Sequence, residues 1–199
     1  MKDKGFEIVA AAQDTGGVEV AGIWYDRAQA SFTRLIDTQH TVTSLYGMVN
    51  VPSGVWIDEE GKIVRPPEVA YSRQTGFGTL VAGDDQYVEA LKDWVENGAE
   101  SDYVFGEQDL QEKLALSSPD RLRADAHFKL AVYLHGEGAT EAASRHWQKA
   151  QDLDPLNWNY HRQEWSFDPA TAGRNWQRKF QSLDGPYYQP ADLKRRKKK

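Results

Sequence analysis

The sequence of 199 residues contains no cysteine, and its only sulfur belongs to two methionines. A thiolate is the nucleophile of thiol–disulfide exchange and a ligand of zinc-thiolate and iron–sulfur sites. This chain by itself is therefore excluded from disulfide formation, from thiol-dependent redox chemistry and from cysteine-based metal binding. Long apolar runs are also missing. Runs such as Ile8 to Ala12 have five residues, whereas a membrane-spanning helix needs roughly 20. We expect a soluble, cytoplasmic protein with no membrane partner.

Charge of one sign is concentrated at one end of the chain. The net charge is −6, but the last six residues, Lys194 to Lys199, carry +6, so the remainder carries −12. An acidic body repels the phosphate backbone of nucleic acids. We therefore expect no nucleic-acid partner, and we interpret residues 194–199 as a solvated basic tail. The composition, with 40% hydrophobic and 12% aromatic residues, is typical of a folded globular protein.

The first half of the chain alternates strand and helix signals. Phe6 to Gln13 is typical of a buried parallel strand that stops at a glycine-rich turn. The pattern then predicts a helix over 18–29, a strand over 31–36, a helix over 38–46 capped by Asp37, a hairpin with strands 54–57 and 62–65, and a helix that starts at Asp84 or Asp85 and ends at Gly98. In the helix over 18–29, Val20, Ile23, Trp24 and Arg27 fall at helical spacing.

Several short motifs in this half lie in an order that a known family shares. They are Gly5-Phe6-Glu7-Ile8-Val9, Leu35-Ile36-Asp37, Tyr46-Gly47, Val51-Pro52-Ser53 and Trp56-Ile57-Asp58-Glu59-Glu60-Gly61-Lys62-Ile63-Val64. Over residues 5–98 the chain resembles the thioredoxin-like redoxins of the peroxiredoxin and thiol–disulfide reductase type. The resemblance implies a thioredoxin-like α/β domain and a cis peptide bond between Val51 and Pro52. It also implies an edge at Val51, Pro52 and Ser53 that binds an extended peptide.

The resemblance has a gap, because the family's first strand and its cysteine-bearing helix would precede Phe6. That strand would be central in the sheet, so its loss leaves backbone groups unpaired on both neighbouring strands, at about 1–3 kcal/mol for each unmatched group. Three solutions stay open. The neighbouring strands close up, another chain donates a strand and makes a homodimer, or the missing segment is encoded upstream of Met1.

The sequence pattern of the second half of the chain indicates helices and no strands. Ser118 and Pro119 form a strong helix start, and helices are predicted over 119–135, 141–153 and 170–181. We counted back from Pro155, taken as the closing proline of a tetratricopeptide repeat. The small and large positions of that repeat are then occupied by Leu130, Ala131, Leu134, Gly138, Ala143, Trp147 and Ala150. The first two of these helices therefore resemble one such repeat, with His127 in place of the usual tryptophan. The alternative is an αα-hairpin of no particular family.

No other chemistry is indicated. The five histidines show no metal-ligand spacing with carboxylates, and Ser53 has no evident base. We predict no catalytic residue, no metal site and no cofactor.

The expected fold class is an α/β thioredoxin-like domain, without its first strand and cysteine helix, followed by an all-α tetratricopeptide-like region. The predicted boundaries are 1–98 for the redoxin domain, 99–118 for a linker, 119–193 for the helical region and 194–199 for the tail. The expected function is a redoxin-related binding or scaffold role with a protein or peptide partner, bound through the Val51–Pro52 edge or the helical region. The alternative is a fragment of an active thiol-dependent oxidoreductase or peroxidase whose cysteine segment lies upstream of Met1.

Overall fold

A computed structural model describes residues 2–70, 75–77, 80–82, 86–114 and 118–196 of the chain. The chain divides into two compact units, each made of non-contiguous segments. The hairpin unit comprises Met1–Glu7, Pro52–Ala115 and Tyr188–Lys199, and the helix-pair unit comprises Ile8–Val51 and Leu116–Tyr187. The predicted boundaries follow the chain in sequence order, whereas these units do not. The boundaries at 98 and 118 stay predictions.

The described residues form six strands and eight α-helices. The strands are β1 (Val9–Gln13), β2 (Thr33–Asp37), β3 (Ser53–Ile57), β4 (Ile63–Val69), β5 (Thr75–Phe77) and β6 (Leu80–Ala82). The helices are α1 (Val18–Arg27), α2 (Thr41–Tyr46), α3 (Gln86–Asn97), α4 (Glu107–Lys113), α5 (Pro119–Gly136), α6 (Thr140–Leu153), α7 (Trp158–Ser166) and α8 (Pro169–Gln181). No helix in these ranges combines the length and the apolar character that a membrane span requires.

The predicted fold class is wrong for the first half of the chain. A thioredoxin-like core needs one continuous sheet, but the described strands pair only two by two, as β1–β2, β3–β4 and β5–β6. The physical reason is that no described strand pairs with both β1 and β3, so no ladder of backbone hydrogen bonds joins them into one sheet. About half of the described residues are helical.

In the helix-pair unit, β1 and β2 form a parallel pair from Val9 opposite Thr33 to Gln13 opposite Asp37. α1 connects the two strands, as expected for a parallel crossover. The predicted parallel character of the first strand is confirmed, but its predicted burial is wrong, since Val9 is 59% exposed.

The same unit contains the helical hairpin α5–α6. Its core consists of Ala124, Phe128, Ala131, Ala143, Trp147, Ala150 and Tyr160, with Val132, Leu134 and Leu153 packed against it. The alanines allow the two helices to approach closely. Four of the predicted packing positions are buried, whereas Leu130 is 40% exposed. α5 begins as predicted, since the Ser118 hydroxyl accepts from the Arg121 N–H at 3.2 Å.

α7 was not predicted, because the chain after Pro155 lacks a clear helical period. It places Tyr160 against Phe128 with ring centroids 4.7 Å apart, so one of its aromatic residues completes the core of the α5–α6 hairpin. The remaining aromatics of α7 and α8 form a second cluster around Tyr187, which lies 4.5 Å from Trp158 and 5.6 Å from Trp176.

The hairpin unit is built on β3 and β4, an antiparallel pair. The Asp58 carboxylate accepts from the N–H groups of Glu60 and Lys62 at 3.0 and 2.8 Å. Gly61 adopts a positive φ of 80° in this turn, which glycine tolerates without a steric penalty. The predicted hairpin is therefore confirmed, with β4 continuing to Val69. The caps predicted for α3, Asp84 and Asp85, lie outside the described residues.

An aromatic core holds α3 against this hairpin. Trp56 of β3 stacks on Trp94 of α3 with centroids 5.1 Å apart, and its indole N–H donates to the Tyr87 hydroxyl at 3.0 Å. Two residues of the basic tail also contact this unit. Arg196 lies over the Phe105 ring at 3.5 Å, and the Arg195 guanidinium donates to the Tyr103 hydroxyl at 3.3 Å. The tail is therefore not simply solvated at these two residues.

Candidate functional site

The segment just before the predicted peptide-binding edge is held by the helices of its own unit. Three consecutive backbone carbonyls accept hydrogen bonds there, those of Gly47, Met48 and Val49. The donors are the Arg121 guanidinium at 2.6 Å, the Asn159 amide at 2.8 Å and the Trp158 backbone N–H at 2.7 Å. Gly47 ends α2 with a φ of 65°, so glycine suits this turn. This anchoring involves side chains more than 70 residues away along the chain.

Asn50 continues the anchored segment. Its side-chain amide donates to the Tyr187 carbonyl at 3.3 Å, and its side-chain oxygen accepts from the Val51 N–H at 3.0 Å. Asn50 is buried, with 7% of its surface exposed. The peptide leading to Val51 is therefore fixed by both backbone and side-chain contacts.

The predicted site residues themselves fall on the division between the two units. Val51 belongs to the helix-pair unit, while Pro52 and Ser53 belong to the hairpin unit. The Pro52 carbonyl accepts from the Ala70 N–H at 3.2 Å, and Ser53 is paired with Val69 at the start of β3. A peptide-binding edge at these three residues stays a prediction.

A small pocket lies beside the anchored segment in the helix-pair unit. Its volume is about 40 Å³, which is room for roughly three or four water molecules, since each needs roughly 10–15 Å³. Ten residues line it: Thr43, Ser44, Gly47, Met48, Arg121, Leu122, Asp125, Asn157, Asn159 and Tyr160. The pocket is too small for an organic substrate, because such sites usually measure about 300–1,000 Å³.

A buried polar network lies at the carboxyl end of β1. His40 is 2% exposed, and its Nε2 lies 2.9 Å from Oε1 of Gln163. Gln163 also accepts from the Thr15 N–H at 3.2 Å and donates to the Thr15 hydroxyl at 2.7 Å. Burial lowers the pKa of His40, and the hydrogen bond to Gln163 only partly opposes that effect. His40 is therefore neutral at pH 7, with Nε2 as the donor to Gln163.

The adjoining carboxyl end of β2 carries a second set of polar contacts. The Gln13 amide donates to the Asp37 carboxylate at 3.0 Å, and the Thr43 hydroxyl donates to the Gln13 side-chain oxygen at 2.9 Å. Burial raises the pKa of Asp37, but hydrogen bonds from the N–H groups of Val42 and Thr41 outweigh it, and the net pKa is lowered. Asp37 thus supports the start of α2, as the sequence predicts, although the helix begins at Thr41 and not at Thr38.

The opposite edge of β1 has no strand partner among the described residues, since β1 pairs only with β2. The Ile8 carbonyl accepts from the Thr33 N–H at 3.2 Å. In a parallel ladder that register directs the backbone groups of Ala10 and Ala12 toward β2. The N–H and C=O groups of Val9, Ala11 and Gln13 therefore point to the open edge.

The apolar stripe of α1 is also uncovered. Val20, Ile23 and Trp24, which share one helical face, are 50%, 45% and 65% exposed. Val18 is 71% exposed, and Ala21 is the buried residue of the helix. Helical spacing correctly predicted which residues share this face, but spacing alone cannot show whether another element covers it. Exposed apolar residues grouped in this way commonly mark an interaction surface.

Catalytic machinery is not evident in the ranges that the structure describes. They contain no cluster of three or more histidine, aspartate or glutamate side chains that could hold a metal ion. The sequence does not predict the contact between one pair of histidines, because the two residues lie on different helices. His127 of α5 and His146 of α6 have their Nδ1 atoms 2.9 Å apart.

Comparisons of the chain with protein-family models, with curated proteins and with solved structures give no match. The resemblances to redoxins and to a tetratricopeptide repeat rest on the sequence motifs alone and stay predictions.

Proposed function

We propose that this chain has a binding role without thiol chemistry, in which the open edge of β1 receives an extended strand of a partner protein. The observation that carries the proposal is the unpaired edge itself. Strand addition supplies the hydrogen bonds that Val9, Ala11 and Gln13 lack within the described sheet, and backbone pairing of this kind gives affinity in many peptide complexes. The proposal does not depend on kinship with the redoxins.

The side chains near this edge favour an apolar partner strand. Parallel sheets are normally covered on both faces, yet Val9 and Leu35, on the same face of the pair, are 59% and 48% exposed. Burying apolar surface contributes about 25 cal/mol for each Å² removed from water. An apolar strand added beside β1 places its own side chains next to Val9 on this face, so it gains hydrophobic contact as well as hydrogen bonds.

Charge further defines the partner. The stretch from Ile8 to Asp37 contains four carboxylates and two arginines but no lysine, and the chain without its basic tail carries −12. Complementary charge speeds association and suppresses wrong partners. We therefore commit to a partner segment that is apolar at its centre and carries lysine or arginine at its flanks.

The test uses a fluorescein-labelled peptide, Lys-Lys-Val-Thr-Val-Ile-Val-Lys-Lys, titrated with the pure chain and followed by fluorescence anisotropy. Saturable binding that weakens with added salt is expected. The same peptide with N-methyl groups on alternate central residues cannot form the backbone hydrogen bonds, so its binding should be lost. Equal binding of the two peptides would contradict strand addition.

Variants locate the site on the protein. Ala11→Pro removes an N–H that points to the open edge, and Val9→Asp places a carboxylate in the apolar patch; both should weaken peptide binding strongly. Tyr133→Ser is the matched control, because Tyr133 is 62% exposed on α5. Pro52→Ala tests the edge that the sequence predicts. If only Pro52→Ala abolishes binding, that edge is the site and the β1 proposal is wrong.

Two further experiments test whether something other than a partner protein occupies the edge of β1. Sedimentation that shows a concentration-dependent dimer, lost in Val9→Asp, would assign the edge to a second copy of this chain. If the DNA upstream of Met1 encodes an apolar strand and a cysteine-bearing helix, that result would favour the alternative of an oxidoreductase fragment. Either result would overturn the proposal of a partner protein.

A further inference from the structure

The two histidines at the α5–α6 contact are arranged as a pair of ligands. The Nδ1 atoms of His127 and His146 lie 2.9 Å apart, and the ring centroids are 5.0 Å apart with planes inclined by 32°. Both side chains are partly exposed, so an ion from solvent can reach them. The two helices are packed through the alanine-rich core, which limits how far the imidazoles can separate.

Two neutral imidazoles in this position need either a shared proton or a bound cation between their Nδ1 atoms, because two lone pairs repel each other. A neutral imidazole has one N–H and one lone pair, so at 2.9 Å one Nδ1 must carry the shared proton while the other accepts it. When both rings carry their protons on Nε2, each Nδ1 presents a lone pair, and a point beside the line between the two nitrogens is within bonding reach of both. We propose that this point is a binding site for a divalent transition-metal ion of the copper or nickel type, with His127 and His146 as its two protein ligands.

The spacing selects among metals. Metal–imidazole bonds are about 2.0–2.1 Å long, so nitrogens 2.9 Å apart subtend an angle of about 90° at a bound ion. An angle of about 90° is that of neighbouring ligands in the square-planar or tetragonal geometry of Cu²⁺ and Ni²⁺. Tetrahedral Zn²⁺ would need nitrogens roughly 3.3–3.4 Å apart. The pair therefore favours copper and nickel over zinc.

The surroundings make this a weak, exchangeable site. Water completes the coordination, because the described residues offer no third histidine or carboxylate ligand in a cluster. Arg123 and Lys149 add unfavourable positive charge close to His127. A bound ion still joins α5 to α6, so binding stabilises the folded chain by mass action.

The experiment measures the thermal unfolding midpoint of the untagged chain with and without CuCl₂, NiCl₂ or ZnCl₂ at pH 7.5. Copper and nickel should raise the midpoint at concentrations where zinc has a smaller effect. Isothermal titration should give one ion per chain. No rise with copper or nickel, or a larger rise with zinc, overturns the proposal.

Variants assign the ligands. His127→Asn and His146→Asn should each lose the metal-induced rise, whereas His135→Asn, on the same α5 helix, should keep it. Lys149→Gln should bind more tightly, because it removes a neighbouring positive charge. The electron paramagnetic resonance spectrum of the copper-loaded wild-type chain gives a test that needs no variant. Coupling to two imidazole nitrogens supports the site, and coupling to one or none contradicts it.

Discussion

The guanidinium of Arg65 lies 2.6 Å from the carboxylate of Glu68, and the arginine side chain is 1% exposed. The contact is an ion pair formed within β4. Arg65 also donates to the backbone carbonyls of Tyr103 at 2.8 Å and Asp192 at 2.5 Å. One buried cation thus connects β4 with the chain that precedes α4 and with the C-terminal segment of the hairpin unit. Such pairs are costly to break, because removal of one partner leaves a buried charge uncompensated.

We predict that Arg65→Met lowers the free energy of unfolding by about 3–5 kcal/mol. The substitution removes the cation beside Glu68 and leaves two carbonyls without their donor. Urea denaturation of the variant and the wild type at pH 7.5 measures the difference. In the double variant Arg65→Met/Glu68→Leu, part of the loss should be recovered, since no unpaired carboxylate remains.

The exposed ion pair of Lys62 and Glu60 is the matched control. Their atoms are 2.5 Å apart, but the side chains are 72% and 66% exposed. Solvent screens such pairs, so Lys62→Ala should leave the unfolding curve unchanged. A similar loss in Lys62→Ala and Arg65→Met would show that burial is not the reason for the effect.

The second prediction concerns Gln163, whose side chain serves both His40 and Thr15. Gln163→Leu leaves the His40 Nε2–H and the Thr15 N–H without an acceptor, and each buried unsatisfied group costs about 1–3 kcal/mol. A clear decrease in stability is expected in urea denaturation. Gln148→Leu is the control, because Gln148 is exposed and its side-chain amide donates to the Asp152 carboxylate at 2.8 Å on the surface of α6. An equal decrease in that variant would contradict the role given to the buried network.

Local signals in the sequence predicted most of the elements. Ser118 and Pro119 fix the start of α5, Asp58 and Gly61 fix the β3–β4 turn, and Gly47 fixes the end of α2. Each of these features depends on neighbouring residues only, because capping and turn geometry are satisfied within a few positions. Their location could therefore be predicted without knowledge of the fold.

The tertiary arrangement could not be predicted in this way. No described strand pairs with both β1 and β3, and short motifs do not reveal this, because strand pairing depends on contacts between distant parts of the chain. His127 and His146 are 19 positions apart, so their contact arises only from the packing of α5 on α6. Likewise, α7 has no clear period, because its faces contact different parts of the helix-pair unit.

The third prediction concerns the basic tail. The Arg196 guanidinium lies 3.5 Å over the Phe105 ring and donates to the Asp192 carboxylate at 2.7 Å. Arg196→Ala should therefore lower the free energy of unfolding by about 1–2 kcal/mol, the range for a partly desolvated cation–π contact. Lys194→Ala removes the same charge from an exposed residue and should leave unfolding unchanged. If both variants unfold like the wild type, the tail does not stabilise the hairpin unit.

The fourth prediction is a loss of stability in acid, with His161 as its main source. Burial lowers the pKa of His161 to about 4, and the nearby positive charge of Lys179 adds to the effect. The unfolded chain takes up this proton near the ordinary pKa of about 6.5, whereas the folded chain resists it down to about 4. The free energy of unfolding therefore keeps its full value above pH 6.5, where His161 is neutral in both states. It declines as the pH falls toward 4, because the unfolded chain binds the proton more readily than the folded chain. Burial also lowers the pKa of His40 and of His127. These two residues therefore add to the loss of stability in acid for the same reason.

Between pH 7.5 and pH 4.5, His161 alone should remove about 2–3 kcal/mol from the free energy of unfolding. His161→Gln cannot be protonated, so its stability should depend less on pH by that amount, while Gln148→Leu should keep the wild-type dependence. Urea denaturation at the two pH values measures the difference, and nuclear magnetic resonance titration of the folded chain measures the His161 pKa directly. A measured pKa near 6.5 would contradict the burial argument, because a solvated imidazole at that position would give no difference in proton uptake between the folded and unfolded chains.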